Sequence, residues 1–286
     1  NSEVISTTAT ISSLPIIPVT DQEVIAFGLL SYSFPNELTG TSTCELMTPT
    51  DKGILVISPT TNCDIAWTTD NDLRGEHEVV IKATNSTDEK YYTFKISVYS
   101  WMIQLDKGWN LISIPLIPED TDYKEVLENV RVNLSTVWSY EYNSATKESE
   151  WHGRKTTATS WSSTKWGSLN DIVPGRAYWL NMDEPAVLKG FGSKAYTNPT
   201  GESSPAGMPQ VKLGANQWSL IGKYGLKTSS ILASDALGSL LGTFTVVNEL
   251  ITPVTNIANQ EGYWLWVKSD TSEQTYTPLN AEYYTN

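Results

Sequence analysis

Three kinds of side chain in this sequence could do chemistry: clustered carboxylates, two histidines and a high density of indoles. The carboxylates gather as Asp64 with Asp70-Asn71-Asp72, as Glu119-Asp120-Thr121-Asp122, and as Asp183-Glu184. Calcium collects several oxygen ligands, which a loop between strands can supply, and Asp70 and Asp72 on one short turn are the best candidates for such a site. No cofactor other than Ca²⁺ is suggested. Glu119–Asp122 reads more simply as the acidic start of a helix, favoured by its dipole. A carboxylate pair for glycoside hydrolysis needs a separation that only the fold sets. His77 lies within a β-forming run and reads as a packed histidine, while His152 stands in a polar turn. The chain carries no GxSxG, HExxH, P-loop or GxGxxG pattern, so it is read as a non-enzyme.

Eleven Trp and fourteen Tyr make stacking on sugar rings the other chemistry to weigh. Trp151, Trp161 and Trp166 fall in one Ser/Thr-rich segment and could form a glycan-binding platform. Trp109, Trp138, Trp179, Trp218 and Trp264 sit inside strand-like runs and read as core, with Trp109 and Leu111 facing it. Asn85-Ser86-Thr87 and Asn133-Leu134-Ser135 are N-glycosylation sequons near turns, which makes Asn85 and Asn133 candidate glycan acceptors. Proline disqualifies Asn198-Pro199-Thr200.

The background is acidic. With 19 basic and 32 acidic residues the net charge is −13. Nucleic acid is excluded as a partner, since its binding rests on clustered cations. Cys44 and Cys63 are the two cysteines, and their spacing fits one disulfide across neighbouring strands, worth about 3 kcal/mol; two buried thiols are the alternative. A charged fraction of 18%, with Ser, Thr and Asn supplying the polar surface, favours the disulfide and an extracellular or cell-surface location. No stretch reaches the length of a membrane span. The first residues lack a signal-peptide pattern, so a mature or processed start is expected.

These residues are to be positioned mainly by strands. Residues 1–19 are Ser/Thr/Ile-rich and form either a first strand or a tail that completes a neighbouring subunit's sheet. Short β-rich runs then recur between turns to residue 99: Glu23-Phe27, Cys44-Met47, Ile54-Ser58, Ile65-Trp67, Glu78-Ala83 and Tyr91-Val98. Leu105 to Leu116 reads as a turn at Lys107-Gly108 and a strand closed by Pro115. It recurs as Gln217-Trp218-Ser219-Leu220-Ile221-Gly222. Each copy leads to a second aromatic strand, Tyr178-Trp179-Leu180 or Tyr263-Trp264-Leu265. Between them stand a helix with Tyr123, Val126, Leu127 and Val130 on one face, begun by a capping box of Asp122 and Glu125, and a counterpart over Ile231–Leu241 capped by Ser229-Ser230. The first copy is longer by 24 positions, 69 against 45, and the surplus coincides with Trp151–Trp166.

Two resemblances emerge. Leu55-Val56-Ile57, Ile65-Ala66-Trp67-Thr68 and Gly75 to Thr84 resemble the Ig-like repeats of prokaryotic surface proteins. Gly108 to Leu116, with Pro174-Gly175 and Tyr178-Trp179-Leu180, resembles a repeat of archaeal and bacterial S-layer and other surface proteins. In that pattern Ala177 replaces a second Gly, and the second copy has diverged further. The resemblance implies an Ig-like β-sandwich over 20–99 and two β-rich modules, each with one short helix, over 100–195 and 210–286, joined by a linker at 196–209. It further implies a structural subunit that self-assembles into a filament or lattice, with strand addition from the tail as the assembly contact. The rival reading is an adhesin or carbohydrate-binding protein whose partners are glycans.

Overall fold

The computed structural model describes residues 16–26, 28–32, 43–47, 55–57, 63–69, 73–85, 89–157, 159–165, 167–193, 210–225, 230–238, 240, 242–270 and 273–277. The fold is mainly β, in two compact units, Asn1–Tyr99 and Ser100–Asn286. Residues 1–15 of the stretch read as a tail or first strand (1–19), the linker (196–209), and Asp70 and Asp72 lie outside the described residues, while Ile16–Pro18 of that stretch forms a strand of the first unit.

The first unit is a two-sheet sandwich. Its strands are β1 (Ile16–Pro18), β2 (Gln22–Ile25), β3 (Leu29–Tyr32), β4 (Thr43–Leu46), β5 (Leu55–Ile57), β6 (Ile65–Thr68), β7 (Gly75–Thr84) and β8 (Glu89–Tyr99). One sheet runs β1-β8-β7-β4 with β2 also on β8, and the other runs β3-β6-β5. The alternation that marks a half-buried strand is clearest in β7 and β8. Val79, Ile81, Ala83, Phe94, Ile96 and Val98 point inward to meet Leu30, Ile65 and Trp67 of the opposite sheet. Cys44 and Cys63 are bonded, with Cα atoms 5.5 Å apart. Cys44 lies on β4 and Cys63 just ahead of β6, so the bond ties one sheet to the other rather than neighbouring strands.

The second unit holds both copies of the repeat. The first module has β9 (Trp101–Leu105), β10 (Gly108–Ile112), β11 (Ile117–Pro118), α1 (Tyr123–Leu127), a 3-10 turn (Glu128–Asn133), β12 (Leu134–Asn143), β13 (Glu148–Thr156), β14 (Trp161–Ser163), β15 (Tyr178–Met182), β16 (Ala186–Gly190) and β17 (Gly192–Ser193). The second has β18 (Val211–Gly214), β19 (Trp218–Gly222), β20 (Ile231–Leu232), α2 (Ala233–Ala236), β21 (Thr243–Val247), β22 (Asn256–Ile257), β23 (Gly262–Lys268) and β24 (Glu273–Tyr276). Their sheets run β10-β15-β12-β13-β14 and β19-β23-β21, so β13 and β14 are what the longer copy adds.

Both helices differ from expectation. Asp122 caps α1 by accepting from Lys124 N at 2.9 Å, while its own N–H goes to Asp120 Oδ1, so Glu125 closes no capping box. The 3-10 turn carries Val130 into the core beside Tyr123, Val126 and Leu127. In the second copy the helix shrinks to four residues, because Ile231 and Leu232 are drawn into pairing with Ile257 and Asn256. Leu237 and Leu240 are buried all the same.

The copies keep one local device. Tyr178 Oη accepts from Val173 N, and Tyr263 Oη accepts from Ala258 N, both at 2.8 Å and both five residues back. Burial pushes both phenols far above the ordinary tyrosine range, so each stays protonated and also donates, to Val173 O and Glu261 Oε2 respectively. Replacing either tyrosine by phenylalanine is expected to cost about 1 kcal/mol or more by orphaning a backbone N–H, read as a fall in the urea midpoint of this unit.

The two modules meet face to face through equivalent residues. Leu111 and Ala177 of the first pack with Leu220 of the second, flanked by Tyr140, Trp179 and Trp264. Ser113 N donates to Gln260 O at 3.0 Å, and its counterpart Gly222 N donates to Gly175 O, the counterpart of Gln260, at 2.9 Å. Equivalent groups exchange equivalent bonds, as in an isologous dimer.

Candidate functional site

Antiparallel register decides which side chains share a face. Trp138 stands opposite Trp179, Tyr140 opposite Trp151, and Trp109 opposite Asn181. The other face of this sheet buries Ile112, Val137, Tyr178, Leu180 and Met182 against α1, which leaves the tryptophans on the outward side. The second module covers that side around Leu111 and Ala177, and its Trp264 reaches Tyr140 and Trp151. Beyond its cover lies an open groove of about 700 Å³ lined by Trp109, Trp138, Trp151 and Trp179.

The rings hold one another. Trp109 meets Trp179 edge-on at 6.1 Å, and Trp138 meets Trp151 edge-on at 6.3 Å. Trp151 also touches Tyr140 at 4.9 Å and Trp264 at 5.9 Å, and Trp264 meets Trp218 at 6.5 Å. Trp138 packs down on Gly153, where a Cβ would stand 2.5 Å from its ring, so only glycine lets this indole lie against the sheet. Trp109 remains 55% exposed and Trp151 37%. Two residues from Trp138 on the same face, the Thr136 hydroxyl is buried without a hydrogen-bond partner, between Asn181 and Lys155.

The platform expected from Trp151, Trp161 and Trp166 is not what forms. Trp161 pairs with Thr156, one position out of phase with Trp151 and Gly153, so its side chain crosses to the helix face. There it packs edge-on to Tyr123 at 5.0 Å. Trp166 lies outside the described residues. Trp151 instead joins Trp109, Trp138 and Trp179, which had read as core. Alternation along β10 does put Trp109 and Leu111 on one face, but only Leu111 is covered. The matching of Trp138, Trp179, Trp151 and Tyr140 across three strands was the available signal.

Of the remaining candidates, Asn85 follows β7 and Asn133 precedes β12, both half-buried. His77 packs edge-on against Trp67 at 5.1 Å, with Nε2 2.6 Å from Leu73 O. Among the described residues no group of three or more His, Cys, Asp or Glu side chains could hold a metal ion, and no helix is long and apolar enough to cross a membrane.

A second feature lies in the sandwich. β4 covers β7 only from Ile81 to Thr84, extended by Met47 N donating to Val80 O at 2.9 Å. Among the described residues no strand pairs with the same edge over Gly75–Val79. Since Val80 turns its backbone toward β4, the N–H and C=O of Glu76 and Glu78 point out from the uncovered stretch. No family model matches the chain, and no curated protein matches it.

Proposed function

We propose that the chain is a structural subunit of an extracellular polymer or surface layer, joined copy to copy by strand addition. The observation that carries this reading is the edge of β7 at Gly75–Val79, left unpaired among the described residues, in a chain whose Glu3–Ile11 tract is rich in Val, Ile and Thr. An extended segment added there gains main-chain hydrogen bonds to Glu76 and Glu78, and exposed Glu side chains at both positions discourage indiscriminate pairing. A tail that leaves one copy and enters the next makes a head-to-tail contact that propagates without closing. The disulfide, the low charged fraction and the resemblance to surface-protein repeats support the extracellular placement.

Two variants test it. Removing residues 1–14 leaves β1 in place and abolishes the donor. Glu78→Pro removes an outward N–H while sparing the ladder to β8, because proline is tolerated at an edge whose N–H is unused. Electron microscopy of the parent should show polymers and of either variant monomers. Mixed together, the two should form dimers and nothing longer, since one still accepts and the other still donates. Polymers persisting in either variant would refute donation to this edge.

A further inference from the structure

We propose that the groove lined by Trp109, Trp138, Trp151 and Trp179 is a binding site for a carbohydrate chain. Its volume, about 700 Å³, is in the range of small-ligand sites, and its walls are indoles. The face of an indole carries negative quadrupole charge, and the C–H face of a pyranose is apolar and slightly positive, so the two stack. The hydroxyl rim of the sugar stays in water, which an open groove permits and an enclosed apolar cavity does not. The rings are already held by edge-on contacts at 6.1 and 6.3 Å and by the seat of Trp138 on Gly153, so little ordering is left for binding to impose.

Two observations favour an uncharged, hydroxyl-bearing occupant. The half-buried Asn181 amide, opposite Trp109 on this face, offers a donor and an acceptor to a sugar hydroxyl. The chain's net charge of −13 disfavours an anionic occupant. Lys155 stands opposite Thr136 on the same face, and against this acidic background the chain bound is inferred to be largely uncharged.

The test uses the full chain against insoluble cellulose and chitin in pull-downs, and against soluble xylan and laminarin by indole fluorescence. Both readouts work on monomer and polymer alike, so they do not depend on assembly. At least one polysaccharide is expected to bind and to shift indole emission. Trp109→Ala should weaken that binding at least tenfold while leaving the thermal transition in place, since this ring is mostly exposed. Trp161→Ala, on the opposite face, should bind as the parent does. Failure of the whole panel, or undiminished binding by Trp109→Ala, overturns the proposal. So does self-association abolished by Trp109→Ala, which would make the groove a protein contact.

Discussion

Gly222→Val is expected to undock the two modules of the second unit. A Cβ at this position would overlap that of Ser113 and stand 2.9 Å from the Arg176 carbonyl oxygen. Neither neighbour can yield. Ser113 is fully buried and bonded through N to Gln260 O and through Oγ to Glu261 O at 2.9 Å, and Gly222 N is itself bonded to Gly175 O. Overpacking at such a site costs about 3 kcal/mol or more, and separation would strip cover from Leu111, Ala177 and Leu220. Calorimetry should show the unit's transition lowered and split. The isologous geometry supplies a sharper control. Ser113 and Gly222 are counterparts, so Ser113→Gly combined with Gly222→Ser should recover much of the loss. The transplanted hydroxyl would meet the Arg176 carbonyl as the native one meets that of Glu261. A double variant as unstable as Gly222→Ser alone would mean that the pair does not sit at the centre of the interface.

That interface also explains what could be read from the chain and what could not. Alternation assigns side chains to faces, and in β7, β8, β12 and β15 it did so because each strand buries one face against a continuous core. It does not say what lies against a face. Trp109 and Leu111 look alike in sequence, and they part company only because Leu220 reaches one of them. Register is equally silent. Trp161 carries the same indole as Trp151 in the same Ser/Thr-rich stretch, yet a hairpin offset of one position sends it to Tyr123 instead of the groove. The second helix failed for a third reason. The apolar spacing of Leu237 and Leu240 correctly marked buried positions, but pairing of Ile231–Leu232 with β22 overrode the local preference for helix.

Reduction of the disulfide is expected to destabilise the first unit selectively. Cys44 and Cys63 are 19 residues apart, and closing a loop of this size contributes about 3 kcal/mol through the unfolded chain. For a unit of this size that corresponds to a fall of roughly 12–24 °C in Tm. The second unit contains no cysteine, so its transition should not move, and a thermal scan with and without dithiothreitol reads both at once. Cys63 adds a finer expectation. Its φ of 56° lies in the left-handed region, where a side chain is disfavoured and glycine is not. With Cys44→Ala as a common background, Cys63→Gly should therefore be no less stable than Cys63→Ala, although glycine elsewhere in a β-protein usually costs more. The bond fixes β4 to the opposite sheet at Cys44, which lies opposite Ala83 at the end of β7 away from Gly75–Val79, and the described part of β4 reaches only to the level of Val80. Reduction should then loosen β4 and weaken strand addition at Gly75–Val79 together with the sandwich itself. Polymers that form equally well from reduced protein, below the lowered transition, would show that the edge needs no help from the disulfide.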